Sequence, residues 1–211
     1  MPLKIPNVAA FSKLELCIEP VLAQSLVRVS WFDSGEPHFG KTGGNRFDDP
    51  RRSLPEEARY GTCYAGQSLE CAFAETVLHN EELKRESGQY ELSAQSINRF
   101  VLSFEADGPL RLANMTGAAL KRLGGDGTLS TCSTHRVPQG WSKALFLHRE
   151  MLDGFIYMSR HVNDSRAIVL FCRAQKKLRL VSAVPFVRHP EARAVLDAFG
   201  VRISDRLDGA G

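Results

Sequence analysis

The run Tyr60-Gly61-Thr62-Cys63-Tyr64-Ala65-Gly66-Gln67-Ser68-Leu69-Glu70-Cys71-Ala72-Phe73-Ala74-Glu75-Thr76-Val77-Leu78 carries the most information in this chain. Tyr60 to Ala65 reads as a short strand. Gln67 or Ser68 then caps a helix expected to reach about Glu86, with Leu69, Ala72, Phe73, Thr76 and Val77 recurring at helical spacing. Glu75 is the only charge between Cys71 and Leu78 and lies at the flank of that stripe, beside Ala72. A carboxylate in such a run loses hydration, which costs free energy unless a partner or ligand compensates it. Glu75 is therefore placed for chemistry rather than for solubility. Upstream stand Tyr64-Ala65 and, before them, Gly44-Asn45-Arg46-Phe47.

Working outward, Ser25 to Phe32 is β-branched and aromatic and reads as a strand. The 33–59 segment, rich in Gly, Pro, Asp and Arg, is expected to be mostly loop, and long ordered loops are often binding loops. Phe100 to Phe104 reads as a strand, and Asn114 to Leu123 as a helix stopped by Gly124-Gly125. Ser142 to Leu152 is a further helix, ended by Asp153-Gly154. Phe155 to Ser159, Ala167 to Cys172 and Leu178 to Val184 read as strands, followed by a helix over Glu191 to Phe199 and a strand around Val201 to Ile203. Helices and strands mix without a regular βαβ rhythm. The fold class expected is α+β, one domain with mixed or antiparallel sheets and flanking helices. Residues 1–25 are expected to be an N-terminal arm on a domain spanning 26–211.

Length and composition suit this: 211 residues support one sizeable core, and 43% apolar with 24% charged residues is an ordinary globular balance. The net charge of +3 is dispersed, without the concentrated basic stripe of a nucleic-acid binder, so direct nucleic-acid binding is not expected. Five cysteines without regular spacing suggest neither a disulfide framework nor a four-ligand zinc site. Met1 to Pro20 shows no secretory pattern, and no apolar run approaches the roughly 20 residues of a membrane span. A soluble cytoplasmic protein is the expectation.

One motif is refused. Gly35-Glu36-Pro37-His38-Phe39-Gly40-Lys41-Thr42 fits the P-loop pattern letter for letter. That loop works only when the Lys and Thr open a helix whose amides hold phosphate. Here Gly43-Gly44-Asn45-Arg46-Phe47-Asp48-Asp49-Pro50 follows, a poor helix. Cys132 and His135 have metal-like spacing, but a pair cannot complete a site.

A set of blocks points elsewhere. It comprises Arg28 on an early strand, Gly44-Asn45-Arg46-Phe47 in a loop, and Cys63-Tyr64-Ala65 with Ser68, Ala72 and Glu75. Gln139-Gly140-Trp141-Ser142-Lys143-Ala144 and Asp153-Gly154-Phe155-Ile156-Tyr157-Met158-Ser159-Arg160 follow in order. Together, over residues 25 to 173, they resemble the RES domain family. Gly66 departs from the polar residue expected there, which would loosen the helix entry, and Thr134-His135-Arg136 also departs from the pattern.

The resemblance implies a fold similar to ADP-ribosyltransferase toxins and an activity that splits the nicotinamide–ribose bond of NAD+, with water or phosphate as acceptor. It further implies a toxin neutralised by an antitoxin bearing an Xre-like helix-turn-helix domain. NAD+ is then the substrate, and no metal or further cofactor is required. Cleavage builds positive charge on the ribose, as in glycoside hydrolysis. Glu75 would stabilise that charge, with Arg28 and Ser159 beside it as the catalytic set. Arg28 and Arg46 offer planar forks to phosphates, Tyr64 a ring to stack on nicotinamide, and Ser159 a hydroxyl to ribose or carboxamide. Gln139 and His135 would complete the NAD contacts, and Ser133 is an alternative site serine. The open alternatives are ADP-ribosyl transfer to a macromolecule, a non-catalytic binding module with the same fold, and a basic nucleic-acid binder.

Overall fold

Along residues 3–204, the part of the protein that the computed structural model describes, ten strands and six α-helices form. The strands are β1 (Ile18–Val21), β2 (Arg28–Ser30), β3 (Thr62–Gly66), β4 (Tyr90–Ser93), β5 (Phe100–Ala106), β6 (Leu110–Met115), β7 (Gly154–Met158), β8 (Arg166–Phe171), β9 (Leu178–Pro185) and β10 (Val201–Ser204). The helices are α1 (Val8–Phe11), α2 (Leu69–Thr76), α3 (Gly117–Arg122), α4 (Thr128–Thr131), α5 (Arg136–Phe146) and α6 (Ala192–Ala198).

Five strands make a mixed sheet in the order β1-β6-β7-β8-β3, antiparallel except for the parallel pair β6/β7. Three more, β2-β5-β9, make an antiparallel sheet, and β10 pairs parallel with β4. The architecture is α+β, as the mixed pattern of the sequence predicts. Strands β7 and β8 are buried on both faces, which is why they read as continuous apolar runs rather than alternating ones. Phe155, Tyr157, Val169 and Phe171 point toward α1 and α5, where Trp141 and Leu145 meet them. Ile156, Ile168 and Leu170 point the other way, onto Leu102 and Phe104 of the three-stranded sheet. A third cluster joins α2 and α6 to the outer face of that sheet through Phe73, Val101, Phe186 and Val195. Each such fully buried side chain contributes about 1.5–3 kcal/mol relative to exposure.

Besides this packing, the backbones of the two larger sheets are bridged beside Gly66. The Val27 amide donates to the Gly66 carbonyl at 2.9 Å and the Gly66 amide to the Val27 carbonyl at 2.8 Å. Beyond this bridge β2 and β3 diverge, and α2 packs across the seam against both. A Cβ at position 66 would lie 2.8 Å from the Ala72 amide nitrogen. Glycine is thus what lets α2 sit this close. The helix entry is firm, capped by the Ser68 hydroxyl accepting from the Cys71 amide at 3.1 Å.

Several boundaries differ from the sequence reading. Helix α2 stops at Thr76 because the polar run from His79 to Gly88 is wholly exposed and offers no apolar stripe to bury. Helix α5 lies six residues upstream of the expected 142–152 span, running from Arg136 to Phe146. Asn114 and Met115 belong to β6, not to α3. Glycine does end α3 as expected: Gly124 has φ +81°, and the Gly125 amide returns to the Leu120 carbonyl at 3.0 Å. In the 1–25 segment, β1 is the edge strand of the five-stranded sheet, paired to β6, and α1 packs through Phe11 on Trp141. No helix among the described residues is long and apolar enough to cross a membrane.

Candidate active site

Where β2 and β3 part, a cleft of about 360 Å³ opens, floored by Tyr64 of β3, the end of α2 and Tyr157 of β7. Five of the expected residues line it: Arg28, Arg46, Tyr64, Glu75 and His135. Glu75 is the one carboxylate among the described lining residues, and the others are mainly cationic or neutral polar.

Glu75 sits on the last turn of α2 and is aimed by two hydroxyls from the end of β7. Ser159 Oγ donates to Oε1 at 2.6 Å and Tyr157 OH to Oε2 at 3.2 Å. Burial, then the Glu75 charge, pushes the Tyr157 phenol well above its ordinary pKa, so it stays a donor. Ser159 is 2% exposed, and its oxygen also accepts from the His161 and Val162 amides at 3.1 and 3.0 Å. The sequence reading has this hydroxyl touching ribose or carboxamide. In the structure its proton is committed to Glu75 and its lone pairs to the chain turn, so it acts behind the carboxylate and outside the cleft lining.

Arg28 begins β2 and is held in a clamp. Its Nε and Nη2 donate to Glu36 at 3.1 and 3.3 Å, and Nη1 to the Tyr64 carbonyl at 2.9 Å. Glu36 is itself fixed by the Ser30 hydroxyl and the His38 amide, both at 2.6 Å. Burial alone would raise the Glu36 pKa; the Arg28 guanidinium and those two donors outweigh it and hold the carboxyl below the usual glutamate value. Three of the five guanidinium N–H groups are thereby used, leaving two for an anion.

Arg46 rides on a loop braced by two buried acids. Asp48 accepts from the Asn45 amide at 3.0 Å and from Thr62 Oγ1 at 2.6 Å, while Asp49 is paired with Arg51 and the Tyr60 amide. Arg46 is tied to neither acid; its Nη1 donates to the Cys132 carbonyl at 2.7 Å. The start of α5 grips the same loop. Gln139 Nε2 donates to the Gly43 and Asn45 carbonyls at 3.0 and 2.9 Å, His135 Nδ1 lies 2.9 Å from the Gly44 carbonyl, and Ser142 Oγ donates to the Phe47 carbonyl at 2.6 Å. Gln139 is buried and away from the lining, so its amide fixes the loop rather than reaching NAD. From the 128–135 region Ser130 lines the cleft, whereas Ser133 is exposed outside it. Tyr64 presents its ring to the cleft, and its hydroxyl accepts from the Phe47 amide at 3.0 Å. The P-loop lookalike forms no helix: Gly40 bridges to Thr62 of β3, and the chain stays irregular through Thr42.

Sequence reasoning missed His79 and Arg160, which line the cleft, and His161 next to them. His79 follows α2, His161 and Arg160 follow β7, and the two imidazole rings lie 5.0 Å apart. The signals were the closeness of His79 to Glu75 in the chain, four residues on, and the Arg160-His161 pair directly after Ser159. One ligand atom from each of Glu75, His79 and His161 lies within 4.8 Å of the others, a set able to hold a cation. Both histidines titrate below the usual value, first because of burial, with Arg160 adding to this and Glu75 opposing it.

A single aimed carboxylate in one cleft with a planar aromatic and guanidinium groups is suited to an anionic substrate that develops positive charge next to Glu75. Known proteins agree with the fold and family. A curated protein described as "Probable toxin y4kH", from Sinorhizobium fredii, is 34% identical over 102 residues, covering 48% of this chain and 80% of its own length. A chain in the crystal structure of the M. tuberculosis MbcT–MbcA toxin–antitoxin complex superposes with a TM-score of 0.57 at 11% identity, covering 84% of this chain and 90% of that one. That likeness shows a shared fold. The family model described as the RES domain matches residues 25–195, eight of the ten strands and every residue lining the cleft, and the chain belongs to the RES domain family.

Proposed function

We propose that this protein is the toxin of a toxin–antitoxin pair and that it destroys NAD+ in the cytoplasm by cleaving the nicotinamide–ribose bond. The observation that carries the reading is Glu75, the one acid among the described residues of a cationic cleft, held by Ser159 and Tyr157 in a lining that also includes Tyr64. On this reading the ribose lies over Glu75, whose ionised carboxylate stabilises oxocarbenium-like charge as the bond lengthens. Nicotinamide stacks on Tyr64. Arg28 and Arg46 take the pyrophosphate with the N–H groups that their structural contacts leave free. Water or phosphate then attacks the opposite ribose face, giving ADP-ribose or its phosphate derivative. The leaving group departs as neutral nicotinamide.

The toxin assignment is supported by the family, by the S. fredii relative's description as a probable toxin, and by the fold shared with a chain of a toxin–antitoxin complex. The partner proposed is an antitoxin with an Xre-like helix-turn-helix domain. The test is nicotinamide release from NAD+ by the purified chain, with and without phosphate, beside Glu75→Gln. A fall of about two orders of magnitude or more in the variant fits the loss of one preorganised electrostatic group. Absence of release from the natural protein in both buffers would remove the reading.

A further inference from the structure

At the edge of the cleft, Glu75, His79 and His161 bring together three donors that the proposed reaction uses only in part. We propose that Glu75, His79 and His161 form an inhibitory site for a late first-row divalent cation, with Zn2+ as the representative ion. Two imidazoles and a carboxylate are a donor set that zinc accepts, leaving a fourth position to water. The three come from separate places, the end of α2, the turn after it and the turn after β7, and their donor atoms already lie within 4.8 Å of one another.

Zinc bonds of about 2.0–2.1 Å in a tetrahedron put neighbouring donors about 3.3–3.4 Å apart. Closing to that spacing draws on rotation of the exposed His79 and the half-buried His161 side chains.

The opposing force is Arg160. Its Nε donates to His161 Nε2 at 3.0 Å, which both occupies a ligating nitrogen and places a like charge beside the cation. Arg160 is exposed. The site is therefore weaker than a structural zinc centre and suits reversible regulation. Occupancy takes Glu75 away from the ribose, so zinc competes with NAD+. This consequence rests on the proposed NAD+ reaction; the metal site itself does not.

The test titrates Zn2+ into the purified full-length chain by calorimetry in chelator-free buffer, with Co2+ as a spectroscopic stand-in. One equivalent is expected to bind. His79→Ala, His161→Ala and Glu75→Gln should each weaken it at least tenfold, roughly the least that second-layer changes cost metal sites. Arg160→Ala should tighten it or leave it unchanged. The Co2+ complex should show visible bands without a near-ultraviolet thiolate band, and Cys17→Ser with Cys132→Ser should change nothing. Far-ultraviolet circular dichroism checks that each variant is folded.

No binding at about millimolar metal, a thiolate band, or affinity unchanged from the natural protein in both folded histidine variants would overturn the site. In the nicotinamide assay, the zinc concentration for half-inhibition should rise at least tenfold in His161→Ala, judged against that variant's own zinc-free rate. An equal value in both proteins would overturn the inhibitory role. If NAD+ is not cleaved at all, calorimetry and the Co2+ spectrum still decide the metal site.

Discussion

Ser159→Ala separates two jobs for the same hydroxyl. The 2.6 Å bond to Glu75 is a charge-assisted contact made in a buried position, and such bonds contribute about 1.5–3 kcal/mol. If that energy goes into aiming the carboxylate, losing it lowers turnover about 10–100-fold, at roughly 1.4 kcal/mol per factor of ten. The loss falls on kcat more than on KM, because Glu75 acts on charge present only in the transition state. Tyr157→Phe removes the longer 3.2 Å contact and should cost less, about 3–10-fold at half that energy.

The decisive arm is the cycle with Glu75→Gln. A hydroxyl that works through Glu75 adds almost nothing to the loss once the carboxylate is gone, whereas a hydroxyl that touches the substrate keeps its full effect. Nicotinamide release by the four proteins, with thermal melts to exclude unfolding, gives the answer. An undiminished Ser159→Ala penalty on the Glu75→Gln background would refute the positioning role and restore the substrate contact expected from sequence. Wild-type turnover in Ser159→Ala would refute both.

Glu36→Gln should raise KM for NAD+ about tenfold while changing kcat less, because it loosens the Arg28 clamp rather than the carboxylate; a selective fall in kcat would contradict this. The histidine pair reports on Glu75: since its charge raises both imidazole pKa values against burial, Glu75→Gln should lower them further, read from ring-proton shifts in NMR titrations. Their folded pKa values lie below the unfolded value of about 6.5. The unfolded chain therefore binds protons first, and stability is lost as pH falls through that value toward the folded ones; urea unfolding between pH 7.5 and 5.5 should show a slope that shrinks in a His79→Asn, His161→Asn double variant. Burial pushes the Cys63 and Cys71 thiols up to about 11 and about 12, so in the native protein iodoacetamide should label exposed Cys17 well before either. Phe47→Ala should destabilise the fold by about 3–5 kcal/mol, because this 1% exposed ring packs edge-on to Phe155 at 5.1 Å and against Tyr157 at 4.8 Å.

What the sequence made legible follows from how local each signal is. The strand-to-helix step from Tyr64 to Glu75 is written in consecutive residues: β-rich, then a serine cap, then apolar positions at helical spacing. The doubly buried β7 and β8 are likewise plain in their unbroken apolar runs. Strand β1 left little trace, since Ile18-Glu19-Pro20-Val21 is a partly exposed edge whose identity comes from its partner β6. The end of α2 was hidden because His79 to Glu86 has good helix formers; only the absence of a surface to cover stops the helix, and that is a tertiary fact.

The same distinction explains the site. Arg28, Arg46, Tyr64 and Glu75 could be named because their blocks keep order and spacing. Ser159 and Gln139 were named too, but a residue's presence in a block does not say which way its hydrogen bonds run, and both turn away from the cleft to hold others in place. This division has a physical cause. A carboxylate aimed at a developing cation and a loop carrying Arg46 are both free-energy liabilities in the empty protein, one partly desolvated and one glycine-rich. Each is offset by buried donors placed behind it: Ser159 and Tyr157 for Glu75, and Gln139, Ser142 and Thr62 for the 43–48 loop. The residues that look catalytic by position therefore include the ones that make catalysis geometrically possible. Substitutions in that supporting layer should lower turnover through the groups they hold, with losses that vanish once those groups are removed.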